Sequence, residues 1–163
     1  MIRSIHIALL FFIGSLTFLS CKEEGKHAIK KEEIVFKKEG TLAVFKPNSA
    51  LPVTTFDIEI AESAYETETG LMYRKGMEEQ QGMLFISPIV RIHNFYMKNT
   101  AFALDLVFIK EDLTIGSFQE NAKPFDESTL SSQVPVKYVL ELNAGLVQKL
   151  GLEVGDRITF ERQ

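Results

Sequence analysis

Apolar and polar residues alternate over several short segments that begin near residue 50. In the segment 53–61, apolar Phe56 and Ile58 flank the charged residue Asp57. Glu59 falls on the same side as Asp57, which predicts a strand with one face toward solvent. The further strands predicted from such runs lie at 82–87, 90–99, 101–109, 113–118, 136–142 and 152–161.

A helix is predicted directly after the first of these strands. Ser63 is followed three residues later by Glu66, the spacing of a capping box in which each side chain satisfies a backbone N–H of the other. The predicted helix runs over residues 64–74. It contains Gly70, which costs about 1 kcal/mol relative to alanine inside a helix and favours a close neighbour at that position.

A second short helix is predicted near the end of the chain. Asn143 is its candidate N-cap, and Gly151 lies beyond its last residue. Short strands outnumber the helices, which places the chain in the strand-dominated α+β class. We therefore expect a small, partly closed β-barrel or sandwich with two short helices. The long polar segment 119–135 is typical of a loop that carries function.

The first 20 residues do not belong to this predicted fold. Arg3 precedes an apolar run that is too short for a membrane-spanning helix of about 20 residues and is typical of a signal peptide. The run ends at "FLSC", which resembles a bacterial lipobox, and Cys21 is the only cysteine of the chain. Residues 1–20 are therefore predicted to be a lipoprotein signal peptide, and Cys21 the lipidated residue. An ordinary secretory signal is the alternative.

Dense charges of both signs follow the cysteine. They predict a flexible tether over residues 21–49, with a small strand at 34–36, and a single globular domain over residues 50–163. The expected location is a bacterial membrane, the outer membrane above all, and residues 21–24 also resemble a signal for export to the cell surface. The formal net charge of −4 provides no basic surface for nucleic acid. No cofactor is implied, and a monomer is the default expectation.

Several short motifs resemble the domain-of-unknown-function family 192. They occur in the family's order over roughly residues 53–160, although Tyr96 stands where the family usually has tryptophan, and Phe102-Ala103 replaces its usual Ile-Pro. The resemblance implies a compact β-rich fold, often exported, and no particular reaction. The matching motifs are "GLMYR", "GMLF", "FYMKNT", "LDLVFI", "VLEL", "AG" and "GD".

Polar residues within these apolar motifs are the candidates for function. A half-buried Asp105 needs a partner, and Arg74 is expected to supply one by fixing the first helix onto the sheet. The other interpretation is a pocket for a small polar or anionic ligand, in which Lys98 and Asn99 face the ligand. The candidate ligand-binding residues are Arg74, Lys98, Asn99, Thr100, Asp105 and Glu141.

Two chemical alternatives stay open at this point. Asp105 and Glu141 could form a carboxylate pair that acts on envelope saccharides, which requires both groups to face one cleft. Thioethers favour copper(I), so a copper site is the second alternative. The residues that could form it are Met72, Met77, Met83, Met97 and His93. The main expectation is a lipid-anchored, non-enzymatic binding module of the cell envelope, for a small ligand or a partner protein.

Overall fold

The computed structural model describes residues 33–163, which contain nine strands and two short helices. Within these residues no helix is long and apolar enough to cross a membrane. The predicted signal peptide and Cys21 lie outside the described residues. The elements are β1 (Gly40–Phe45), β2 (Pro52–Ala61), α1 (Ala64–Thr69), β3 (Gln81–Arg91), β4 (Asn94–Phe95), β5 (Leu104–Ile109), β6 (Ile115–Ala122), β7 (Leu130–Ser131), β8 (Val136–Asn143), α2 (Leu146–Leu150) and β9 (Arg157–Arg162).

Seven strands form one mixed sheet in the order β6-β5-β8-β3-β2-β1-β9, and β4 pairs with β7 separately. All neighbours in the large sheet are antiparallel except β2 and β3, whose parallel pairing needs the crossover that contains α1. At one corner the two edges meet through a bridge between Thr114 and Arg157. Ile158 N–H also donates to the Leu113 carbonyl at 2.9 Å. The sheet is not closed into a barrel, so the predicted strand-dominated, partly closed fold is confirmed.

Both faces of the central strands are buried. We call the face to which all seven strands of the sheet contribute the inner core; it includes Val107, Ile109, Leu140 and Leu142 and is capped by α2. The opposite face of β2, β3, β5 and β8 is covered by the connecting segments, and we call it the outer core. Its residues include Met83, Phe85, Leu106, Phe108 and Val139. Because side chains alternate along a strand, every residue of β5 is buried in one core or the other.

The domain begins earlier than the sequence predicted. β1 lies inside the segment assigned to the tether, yet it pairs with β2 on one side and β9 on the other. The small strand predicted at 34–36 is not formed. Its neighbours are nonetheless attached, since Glu39 N–H donates to the Ile58 carbonyl at 2.8 Å. The strand was not predicted because charged residues surround it, although its Leu42 and Val44 side chains are buried in the core.

Both helices are shorter than predicted. The capping box of Ser63 and Glu66 is present, but α1 ends at Thr69, and Gly70 adopts a φ of 47° as its C-cap. A Cβ at Gly70 would lie 3.0 Å from the Phe85 ring, so this glycine does have a close neighbour. The N-cap of α2 is Gly145, with a φ of 86°, and not Asn143.

The strand predicted at 90–99 does not form as one element, and only its first two residues, which belong to β3, and the two residues of β4 are extended in a sheet. Residues 90 and 91 complete β3, and Thr100 N–H donates to the Met97 carbonyl at 3.1 Å, which turns the chain away from the sheet. Asn99, within this turn, has a φ of 58°. Asparagine tolerates this left-handed conformation better than most residues, which explains its place in the "MKNT" motif.

Candidate ligand-binding site

Asp105 and Glu141 lie on adjacent strands but on opposite faces of the sheet. In the pairing of β5 with β8, Asp105 lies opposite Leu142, and Glu141 lies opposite Leu106. Leu142 belongs to the inner core and Leu106 to the outer core. Directly opposed residues project to the same face, so Asp105 points inward and Glu141 outward. The predicted carboxylate pair in one cleft is therefore wrong.

Asp105 is a structural carboxylate. It is completely buried, and its two oxygens accept the backbone N–H groups of Asn121 and Val147, each at 2.9 Å. Val147 lies in the first turn of α2, and Asn121 has a φ of 54° near the end of β6. Asp105 thus holds a helix and an irregular strand end on the inner core, and the predicted contact with Arg74 is wrong.

Arg74 is paired with Glu59 instead. Its Nη1 lies 2.5 Å from Glu59 Oε2, and the two side chains are only 11% and 9% exposed. The other Glu59 oxygen accepts the Lys37 backbone N–H at 2.8 Å. Arg74 therefore fixes the segment after α1 onto the sheet, which is the structural role predicted for it with a different acid.

Glu59 was missed because its side of β2 was predicted to face solvent. The signal that could have identified it lies in the neighbouring strand. The apolar run "GMLF" in β3 indicates a strand covered on both faces, and the residues of β2 beside it are then covered as well.

The polar residues of the "MKNT" motif form a turn that is tied to the segment after α1. Tyr73 N–H donates to the Asn99 carbonyl at 2.9 Å, and Asn99 Nδ2 donates to the Tyr73 hydroxyl at 2.9 Å. Lys98 is exposed, whereas Thr100 is buried. Both the backbone carbonyl and the side-chain amide of Asn99 thus hold this turn against Tyr73.

A cavity of about 170 Å³ opens on the outer face of the sheet beside α1; we call it the outer cavity. Of the six candidate ligand residues, only Thr100 and Glu141 line it. Phe85 and Phe95, which meet edge to face with centroids 5.3 Å apart, form part of its wall. Its lining includes Glu68, Met72, Phe85, Arg91, His93, Asn94, Phe95, Tyr96, Thr100 and Glu141.

Glu141 is the buried acid of this cavity. Glu141 is 7% exposed, and within residues 33–163 its carboxylate has neither a hydrogen-bond partner nor an ion pair. Burial raises the pKa of Glu141 to about 8, and the charge of Arg74 opposes this rise. The group is therefore mostly protonated at pH 7 while the cavity holds no ligand.

His93 is the second polar residue of the outer cavity, and its ring interacts with backbone groups of Ile89 and Val136. Its Nε2 is buried and accepts or donates no hydrogen bond among the described residues. Burial lowers the pKa of His93, and the positive charge of Arg91 lowers it further. The imidazole is therefore neutral at pH 7. Its neutral form offers one nitrogen as a hydrogen-bond acceptor.

The methionines are used mainly for packing. Met83 and Met97 are buried in the outer core, and Met77 packs against it. Met72 lines the outer cavity together with His93. Within residues 33–163 no group of three or more His, Cys, Asp or Glu side chains is placed to hold a metal ion. A copper site stays an untested alternative.

These features define a small β-rich domain with a polar cavity on the outer face of its sheet. The model of the DUF192 family (Uncharacterized ACR) matches residues 44–160, so the chain belongs to this family and the resemblance seen in its motifs is confirmed. A UPF0127 protein from Pyrococcus furiosus is 26% identical over 116 residues, which span 65% of this chain and 88% of the relative.

Two crystal structures share the fold. A protein of unknown function from Novosphingobium aromaticivorans is 31% identical with a TM-score of 0.68, over 73% of this chain and 83% of that protein. A Sinorhizobium meliloti protein, provisionally named a transcription regulator, is 40% identical with a TM-score of 0.71, over 79% of this chain and 98% of that protein. Neither name describes a chemical activity.

Proposed function

We propose that the protein is a non-catalytic binding module that holds a small polar ligand in the outer cavity, against Glu141. The observation that carries this proposal is the carboxyl group of Glu141, which is buried, unpartnered and part of the cavity lining. A small concave site with aromatic walls and a few convergent polar groups is the usual form of a ligand pocket.

The other buried acids of the sheet have partners that the fold itself supplies. Glu59 Oε1 accepts a backbone N–H, and its Oε2 forms an ion pair with Arg74 without a hydrogen bond. Asp105 accepts two backbone N–H groups. Leaving a buried polar group without a partner costs about 1–3 kcal/mol, so a fold normally provides one. Glu141 departs from this rule where the cavity opens, as expected of a group whose partner is the ligand.

The experiment is an amide-resolved NMR titration of the full-length protein in detergent micelles. The probes are butylammonium, butyrate, butanol and glucose, which represent four ligand classes. We expect at least one probe to shift amides that line the outer cavity. Asn94→Trp, at the exposed rim, is expected to abolish these shifts. Glu120→Trp, at an exposed position outside the cavity, is the matched control that retains them.

If none of the four probes shifts the cavity amides, or if Asn94→Trp binds them as well as the wild type does, the proposed site is wrong. Amide shifts confined to residues outside the outer cavity would also contradict the proposed site.

We also propose that a lipid on Cys21 anchors this module to a bacterial membrane, the outer membrane in the first place. The support is the apolar run followed by "FLSC" and the single cysteine of the chain. Processed lipoproteins carry more than one acyl chain, and one chain alone gives only marginal binding. Cys21→Ser is expected to release the protein from membrane fractions or block its processing. Unchanged fractionation and unchanged mature mass would contradict the anchor.

A further inference from the structure

Resting on the binding site proposed above, we infer that the ligand carries a primary ammonium group and that Glu141 is its counter-ion inside the outer cavity. The charges, the hydrogen-bond acceptors and the aromatic walls of the cavity all favour a ligand of this chemical class.

The charges lining the cavity leave room for one cation. Glu68 and Arg91, both at its exposed rim, carry opposite charges and offset each other, and His93 is neutral. Ionised Glu141 would then be the single uncompensated charge. The nearby Glu59–Arg74 pair is balanced within itself. One ammonium group would neutralise the set, whereas an anionic ligand would add a second negative charge beside a buried carboxyl.

The more buried polar side chains of the cavity can all accept hydrogen bonds, whereas the donors Arg91 and Asn94 lie at its exposed rim. Ionised Glu141 is an acceptor only, the neutral imidazole of His93 offers its unprotonated nitrogen, and Thr100 contributes a hydroxyl group to the lining. A primary ammonium has three N–H donors on one small centre and can use several acceptors at once. A quaternary ammonium has the charge without the donors.

The walls of the cavity suit a cation as well. Phe85, Phe95 and Tyr96 line it, and the faces of aromatic rings attract ammonium groups. A volume of about 170 Å³ corresponds to about five or six water molecules at the density of the liquid, which sets the size of the enclosed part of the ligand. A short alkylamine, or the amine end of a longer molecule, fits this limit.

Binding should be linked to proton release. Burial keeps Glu141 protonated near neutral pH, and an ammonium ligand stabilises its ionised form. Affinity is therefore expected to rise between pH 6 and pH 8, by up to about tenfold per pH unit. The other charged or titratable groups near Glu141 or around the cavity are Glu59, Glu68, Arg74, Arg91, His93, Tyr96 and Lys137.

The test uses the same NMR titration at pH 8 with four probes. Butylammonium is compared with butanol and butyrate, which have a similar size, and with tetramethylammonium, which has the same charge. We expect butylammonium to bind at least about tenfold more tightly than butanol, butyrate or tetramethylammonium, because a charge-assisted hydrogen bond is roughly twice as strong as a neutral one. Glu141→Gln keeps the size of the side chain and is expected to weaken butylammonium binding by at least about tenfold. Butanol binding should change little in that variant.

The possible failures point to different conclusions. Butanol or butyrate binding in the outer cavity as tightly as butylammonium would overturn the ammonium assignment and leave the binding site standing. Equal binding of tetramethylammonium would show that charge suffices without hydrogen bonds, which contradicts a primary ammonium. Unchanged butylammonium affinity in Glu141→Gln would remove Glu141 as the counter-ion. Absence of every probe from the cavity would overturn the site itself.

Discussion

Asp105 and Glu141 occupy neighbouring strands, one register position apart, and face opposite sides of the same sheet. Both carboxyl groups are buried, but Asp105 accepts two backbone N–H groups, whereas Glu141 has no partner among the described residues. The inner face uses its acid to hold the fold together, and the outer face leaves its acid open to a cavity. Burial alone therefore does not distinguish a structural acid from a functional one; the partner does.

Glu59 sharpens this comparison because it shares the outer face with Glu141. The two residues lie on either side of Met83 in one row across β2, β3 and β8. Adjacent strands are about 4.8 Å apart, so the two acids are separated by roughly 10 Å along the row. Arg74 pairs with the first and only influences the second through its charge. The Arg74 guanidinium thus forms a structural ion pair with Glu59, and Glu141 is left without a counter-ion.

The largest effect on stability is expected from Arg74→Met. The change leaves Glu59 as a buried charge without its counter-ion, which costs about 3–5 kcal/mol in the free energy of unfolding. Urea denaturation measures this loss. Replacing Glu59 with glutamine in the same chain should recover part of it, and the pKa of Glu141 should rise further because the opposing charge is gone.

Arg162→Met is the matched control for that variant. Arg162 pairs with Glu62 at 2.8 Å, but both side chains are half exposed, so its removal should hardly change stability. A loss as large as that of Arg74→Met would contradict the distinction between the buried and the exposed pair.

A smaller loss is expected from Asp105→Asn. One of the two accepting oxygens becomes an NH₂ group that faces a backbone N–H, so either Asn121 or Val147 loses its acceptor. Stranding one buried N–H costs about 1–3 kcal/mol, measured again by urea denaturation. Asp112→Asn changes an exposed acid with its own turn contacts and should have a much smaller effect. Equal losses in the two variants would show that Asp105 is not the anchor of the inner core.

Unlike Arg74→Met and Asp105→Asn, Glu141→Gln is expected to raise the free energy of unfolding near neutral pH. The pKa of Glu141 is raised to about 8 in the folded protein from an ordinary 4.5, so between these values the folded state holds a proton that the unfolded state has released. Its contribution to stability is complete below pH 4.5 and is lost as pH rises toward 8, by about 1.4 kcal/mol per pH unit. The variant lacks this slope.

Stability measured at pH 6 and pH 7 for wild type and Glu141→Gln therefore isolates the contribution of this group. Comparing the two proteins cancels the titration of His93, whose lowered pKa acts in the other direction. Parallel pH profiles would contradict a neutral, buried Glu141.

The sequence allowed the type of most elements to be predicted because their patterns are local. The alternation in β2 and the capping box at Ser63 each depend on residues close together in the chain. The same local information failed at β1. This strand pairs with the nearby β2 and with β9, which lies more than a hundred residues further along the chain. Pairing with both neighbours stabilises this short strand, and the pattern of its own residues is too weak to predict it.

The candidate site was only partly predictable for a related reason. Glu141 and Thr100 were identified as polar residues in apolar motifs, and both line the outer cavity. Which face each acid occupies depends on strand register, and a difference of one position reverses it. Asp105 was therefore given the wrong partners from the sequence, and both Glu59 and the aromatic wall formed by Phe85 and Phe95 were missed.

The most direct test of the account is the pKa of Glu141 itself, measured by NMR titration of ¹³C-labelled carboxyl groups and assigned by loss of the signal in Glu141→Gln. We expect a pKa near 8 in the protein without ligand. We also expect this pKa to fall when butylammonium binds. A pKa near the ordinary 4.5 in the free protein would contradict the account, because the carboxylate would then be solvated or paired and would not be waiting for a ligand.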